Sequence, residues 1–163
     1  MDQEVVEQKL ESLRRCLLRI ETKCPADAET LVADFDLQDI VSLNLTRAVQ
    51  LCVDIGAHLI SGMDVVPPDT MGQTFDILAQ SKLLPSALAL NLKKAVGFRN
   101  IAVHNYEAIN WYIVHSIVKD HLADYFISCF NVFEIVQLPV PRSAVTYVAI
   151  NKHFFFKMHE EIV

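Results

Sequence analysis

The chain is poor in the residues that punctuate loops. Four glycines and six prolines are spread over 163 residues, too few for the frequent turns of an all-β sandwich or barrel. Cysteine is scarce as well. The four cysteines, at 16, 24, 52 and 129, make no CxxC pair and no zinc-ligand spacing. Cys16 and Cys52 fall on apolar helical stripes, where cysteine behaves as a small buried hydrophobe, and this usage points to a reducing, cytoplasmic setting. Positive charge is in deficit: 14 Lys and Arg against 20 Asp and Glu leave a net charge of −6. A protein that coats nucleic acid by bulk electrostatics is excluded, and any contact with a polyanion must use a local patch. No uninterrupted apolar run reaches the roughly 18–20 residues of a membrane span. The acidic, amphipathic start MDQEVVEQKLES does not read as a signal peptide, so no membrane association is expected.

What the chain does have is apolar material in helical register. Hydrophobic residues make up 52% and charged residues 21%, enough for a sizeable core and too little charge for disorder. Val6, Leu10, Leu13, Leu17 and Ile20 alternate steps of four and three, which predicts a long first helix ended by Pro25, with Arg14, Arg15 and Arg19 off its apolar face. Asp36 is the expected N-cap of a second helix carrying Val41, Leu45, Ala48, Cys52, Ile55 and Leu59. Beside that stripe runs a half-polar one: Leu37, Ile40, Asn44, Arg47, Leu51, Asp54 and His58. Pro67 and Pro68 mark a loop, and Thr70 can cap a short third helix with Phe75, Leu78 and Ala79. Pro85 suits the first turn of a fourth helix, whose stripe is Leu88, Leu92, Ala95, Arg99 and Ala102. Asn110 can cap a fifth helix with Val114, Ile117, Val118, Leu122 and Tyr125 inside. The fold class is therefore all-α, an antiparallel bundle of about five helices. It divides into a bundle over residues 1–135 and an atypical extension over 136–163. That extension, with two prolines, β-branched residues and a Phe triplet, reads as an irregular or short-hairpin tail.

Chemistry concentrates in Gly97-Phe98-Arg99-Asn100-Ile101-Ala102-Val103-His104-Asn105-Tyr106. A permanent cation, an imidazole and a phenol fall within eight residues at the end of a predicted helix. Arg99 lies on the inward stripe between Ala95 and Ala102, and a buried guanidinium needs a partner. One reading pairs Arg99 with a carboxylate such as Asp54 and leaves His104 as a helix-end cap. Another makes the pair a reactive site. On a regular helix Arg99 and His104 stand about 140° apart. They converge only if the helix frays near His104 or if a second copy of the chain supplies the other member. Asn100, four residues before His104, can set the imidazole tautomer. Gly97 permits a close backbone approach. Lys93 and Lys94 either widen a positive patch or form a solvated face. Asp54 and His58 are spaced i, i+4, but two ligands do not make a metal site. No metal or cofactor is expected.

The string RNIAVHNY, an Arg-x4-His-x-Tyr pattern, resembles the signature of HEPN-domain proteins. With LQDIVSLNLTRAVQLCVDIGAHLI, FDILAQ and NLKKAVGFRNIAVHNY, about residues 1–130 look like the HepT-type toxins. The resemblance implies a HEPN bundle that forms a homodimer, with the motif residues of both copies lining one cleft. It implies the toxin of a type VII toxin–antitoxin system and a metal-independent endoribonuclease, with RNA as substrate. It places catalysis on Arg99 and His104, and the residue pattern itself adds Asn100 and Asp54 as expected supporting residues. It also implies neutralisation by a cognate MntA-type nucleotidyltransferase antitoxin that transfers AMP onto Tyr106. A second reading of function is a non-catalytic helical subunit that binds nucleotide or docks a nucleotidyltransferase. A pure scaffold would have no need of the intact Arg99/His104 pair.

Overall fold

The computed structural model describes residues 3–135, with side chains described over 4–123. Six α-helices and one 3-10 turn follow in order: α1 Gln3–Lys23, α2 Ala28–Ala33, α3 Phe35–Ile60, α4 Met71–Gln80, α5 Ser86–His104, the turn Tyr106–Ala108, and α6 Trp111–Ile135. No strand occurs among the described residues. The expected five helices are all present, and α2 is an addition. The extension over 136–163 and the side chain of Tyr125 lie outside what is described.

The core follows the apolar stripes. Val6, Leu10, Leu13, Leu17 and Ile20 are all buried on α1, which packs chiefly on α3. The α3 stripe from Val41 to Leu59 is buried as well. By length and composition α3 could cross a membrane, yet 56% of its apolar window is buried inside the bundle. α4 packs on α3 and α5, and α6 on α1, α2 and α5. Between α3 and α4 the contact is tight at Gly56, where a Cβ would lie 2.7 Å from Thr74 Cγ2.

Helix ends differ from expectation in two places. The N-cap of α3 is Asp34, not Asp36: the Asp34 carboxylate accepts the Leu37 N–H at 3.0 Å, satisfying a donor that the helix start leaves open. Pro85 sits at the N-cap of α5, one residue before the first turn. Two caps are as expected. Thr70 and Gln73 form a reciprocal capping box on α4. Asn110 accepts the N–H groups of Tyr112 and Ile113 at the start of α6. The short α2 is held by one buried residue, Leu31, and by Gln38, whose amide donates to the Leu31 and Val32 carbonyls.

Candidate functional site

α5 remains helical to its last residue, His104. Its end is therefore not frayed, and within one chain Arg99 and His104 point about 140° apart. Arg99 is half-buried against the bundle, while His104 is exposed. Asp54 is not the partner of Arg99. Its carboxylate accepts from Lys9 Nζ and Gln50 Nε2, each at 2.9 Å, and so ties α1 to α3. Arg99 instead places one terminal nitrogen 3.4 Å from Asn100 Oδ1. Its Nε is buried with no hydrogen-bond partner among the described residues. A guanidinium N–H left open in this way is costly, and the part of the half-buried guanidinium that an incoming anion can reach is its terminal nitrogens. Asn100 is thus turned toward Arg99 rather than toward the imidazole.

Around His104 the surface is mixed, with exposed Asn100 and Asn105 beside two exposed apolar residues. Ile101 and Val103 are 45% and 51% exposed, on the same solvent-facing end of α5. At Gly97 an added Cβ would meet nothing within 4 Å, so the glycine answers no close approach within its own chain. Lys93 does not widen a positive patch here, because both Asp76 oxygens accept from it at 2.9 Å across α4 and α5. Lys94 is exposed.

Tyr106 opens the 3-10 turn after α5. Its ring packs on Trp111, with centroids 5.7 Å apart and planes at 60°, so Trp111 serves as a packing residue. The phenol is half-buried and donates to Asp39 Oδ1 at 2.6 Å, bridging this turn to the start of α3. Burial, then the bond to Asp39 and its charge, push the phenol pKa up to about 12, while a bond from the Ser42 hydroxyl pulls the other way. Tyr106 is therefore tethered to α3 through a carboxylate. Asp39 and Ser42 are the site residues that sequence reasoning missed. Asp39 stands 67 positions from Tyr106, and its only signal is a charge near the start of an otherwise apolar helix.

His58 Nε2 is also buried without a partner among the described residues. Its i, i+4 neighbour Asp54 is already engaged by Lys9 and Gln50. Among the described residues no three His, Cys, Asp or Glu side chains gather as a metal-ligand group. His115 is structural, with Nε2 3.0 Å from the Pro25 carbonyl oxygen.

The bundle is similar to known proteins. The HepT-like family model, described as Ribonuclease HepT-like, matches residues 10–129. The chain is 38% identical over 122 residues to the mRNA nuclease HepT of Shewanella oneidensis, covering 75% of this chain and 91% of that protein. A crystal structure of a toxin–antitoxin complex with AMP-PNP superposes with a TM-score of 0.75 at 36% identity, over 79% of this chain and 97% of that one. The tri-AMPylated Shewanella oneidensis HEPN toxin in complex with MNT antitoxin gives 0.74 at 36% identity, over 81% and 97%. A family model spanning most of the bundle and a relative matched over nearly its whole length leave one assignment: the chain belongs to the HepT-like ribonuclease family of HEPN toxins.

Proposed function

We propose that the chain is the toxin of a type VII toxin–antitoxin pair, a cytoplasmic endoribonuclease that cleaves RNA without a metal at a centre shared by two copies. The observation that carries this reading is the half-buried Arg99 whose Nε has no partner among the described residues, five residues before an exposed His104 on an unbroken helix. One chain cannot turn both side chains to one point. Two copies meeting along this end of α5 bring two arginines and two histidines to a single cleft.

Cleavage by the RNA's own 2′-hydroxyl needs a base, an acid and a cation. One His104 takes the 2′-hydroxyl proton as the 2′-oxygen bonds to phosphorus. The second His104 protonates the departing 5′-oxygen as its bond to phosphorus breaks. Arg99 holds the non-bridging oxygens, where negative charge grows, in a forked contact. Asn100, close to the Arg99 terminal nitrogen, positions that guanidinium. Asp54 acts at a distance, through the Lys9 bond that fixes α1 on α3.

Neutralisation falls to Tyr106. An MntA-type nucleotidyltransferase transfers AMP from ATP to it: the phenol oxygen bonds to the α-phosphorus, pyrophosphate leaves, and the phenol proton is lost. The added nucleotide is bulky and anionic, two residues from His104, and competes with RNA for Arg99. Support comes from the solved relative that carries AMP in complex with its antitoxin. The test is incubation of the purified protein with RNA in the presence of a chelator, wild type against His104→Ala. Wild type should cleave and the variant should lose about 10²-fold or more. Cleavage that stops with chelator but survives His104→Ala would replace this reading with a metal mechanism.

A further inference from the structure

α1 and α3 enclose a second polar feature, a groove of about 480 Å³ whose walls carry Ser12, Arg15 and Arg19 on one side and Asn44, Arg47 and Gln50 on the other. Three arginines and, among the described residues, no carboxylate line it, in a chain with 20 acidic residues. Two carboxylates on the same helices have hydrogen-bond partners of their own. Glu11 is held by two bonds from Arg14, at 3.0 and 2.7 Å, and Asp54 by Lys9 and Gln50. Among the described residues Arg15 makes one side-chain hydrogen bond, to the Ser12 hydroxyl at 3.2 Å, its charge also acts on Glu11, and none of the three guanidiniums makes an ion pair. All three are exposed. The buried Cys16 thiol also borders the groove, and the charges of both Arg47 and Arg15 act on it. The two walls thus bring their charges to one place.

We propose that this groove binds the phosphate backbone of the RNA substrate away from the cut, as an anchoring site separate from the Arg99/His104 centre; the proposal rests on the ribonuclease reading above. Guanidiniums suit phosphate because their donors form a planar fork and keep their charge at every physiological pH. Arg15 and Arg19 are one helical turn apart, about 6 Å along α1, which lets each take a different phosphate of one strand. Arg47 faces them from α3. The groove also lies on the strand's way out of the cleft. Arg47 follows Asp39, the partner of Tyr106, by eight residues, which is about 12 Å along α3 and about 80° around it. A strand passing Tyr106 reaches the groove over one face of that helix. With a net charge of −6 the rest of the surface repels RNA at long range, so a local cationic groove has most to contribute to holding it.

The test uses the full chain and a labelled single-stranded oligoribonucleotide. Binding is measured by fluorescence anisotropy over a salt series, for wild type, the opposed-wall variant Arg15→Gln/Arg47→Gln, the same with Arg19→Gln, and a control that matches the two-charge loss of the opposed-wall variant, Lys82→Gln/Lys119→Gln. Thermal melting confirms that each variant is folded. The groove variants should bind more weakly, and the slope of log affinity against log salt should flatten by about 0.7 for each phosphate the groove no longer holds. The control should keep the wild-type slope. In cleavage, KM for long RNA should rise with kcat unchanged, and cleavage of a dinucleotide, too short to reach the groove, should stay at wild-type level. Wild-type affinity and slope in the triple variant would overturn the proposal, whether the groove then serves an acidic protein or nothing. Groove-dependent binding by a wild type that cleaves nothing would sink the ribonuclease reading and leave the groove standing. Cleavage of long RNA at wild-type KM by the triple variant would do the reverse.

Discussion

Asp39→Asn isolates the electrostatic part of the Tyr106 tether. The substitution keeps the shape and an acceptor oxygen but removes the charge that the phenol faces at 2.6 Å. In the wild type the phenol titrates at about 12 rather than 10.0, so its ionised fraction at neutral pH is about a hundredfold below that of a free tyrosine. Burial is the first cause of the shift and persists in the variant. The Asp39 bond and charge come next and are weakened or lost. The Tyr106 midpoint should therefore fall, to a value between 10.0 and 12. The sign for stability follows from the raised value. The folded state holds the phenol proton more tightly than the unfolded chain, so this contribution is fully present below pH 10 and is lost as pH rises through 12. Two units correspond to about 2.7 kcal/mol, and water around the half-exposed phenol reduces the expected loss to about 1 kcal/mol. Phenolate absorbance after a pH jump, fast enough to precede opening of the bundle, reads the midpoint. Subtracting the same titration of Tyr106→Phe removes the other three tyrosines. An unchanged midpoint in Asp39→Asn would refute the carboxylate tether and leave packing as the whole cause.

Tyr106→Phe should keep the fold and should escape adenylylation by the cognate nucleotidyltransferase, read by intact-mass spectrometry after co-expression; AMP-sized additions still on the variant would move the modification elsewhere. Gly97→Ala adds a methyl that meets no atom of its own chain, so protomer stability should hold or rise by up to about 1 kcal/mol. The dimer should weaken in sedimentation equilibrium, and unchanged association would place the seam away from Gly97. Gly56→Ala drives a methyl against the buried Thr74 at 2.7 Å, and urea unfolding should report a loss of about 1–3 kcal/mol. Asp54→Asn should lower stability slightly and leave cleavage within a few-fold of wild type, because its carboxylate serves the bond with Lys9.

The helices with long apolar stripes were legible because α1 and α3 each bury one face, and burial of one face imposes the four-three alternation. α2 was not, because six residues with one buried leucine show no period, and the interaction that secures it comes from Gln38 in the next helix. Asp34 and Asp36 offer the same chemistry as caps. Only the backbone decides between them, by bringing the Leu37 N–H to the first. Arg99, Asn100, His104 and Tyr106 were visible together as one local string. Asp39 was hidden because its bond to Tyr106 joins positions 67 apart in sequence. The half-polar stripe on α3 did signal something. The structure puts its Asn44 and Arg47 in the groove and spends its Asp54 on Lys9.

The unbroken course of α5 to His104 also has a kinetic side. If the proposed shared centre holds, a protomer that cannot turn Arg99 and His104 to one point would carry half a centre and do no work alone. Below the dissociation constant of the pair, the rate of RNA cleavage should then scale with the square of protomer concentration. On that reading a few copies made by leaky transcription would stay silent by mass action, before any antitoxin met them. Modest overproduction would cross into activity steeply, and a modified or docked protomer would remove its mate from service as well as itself.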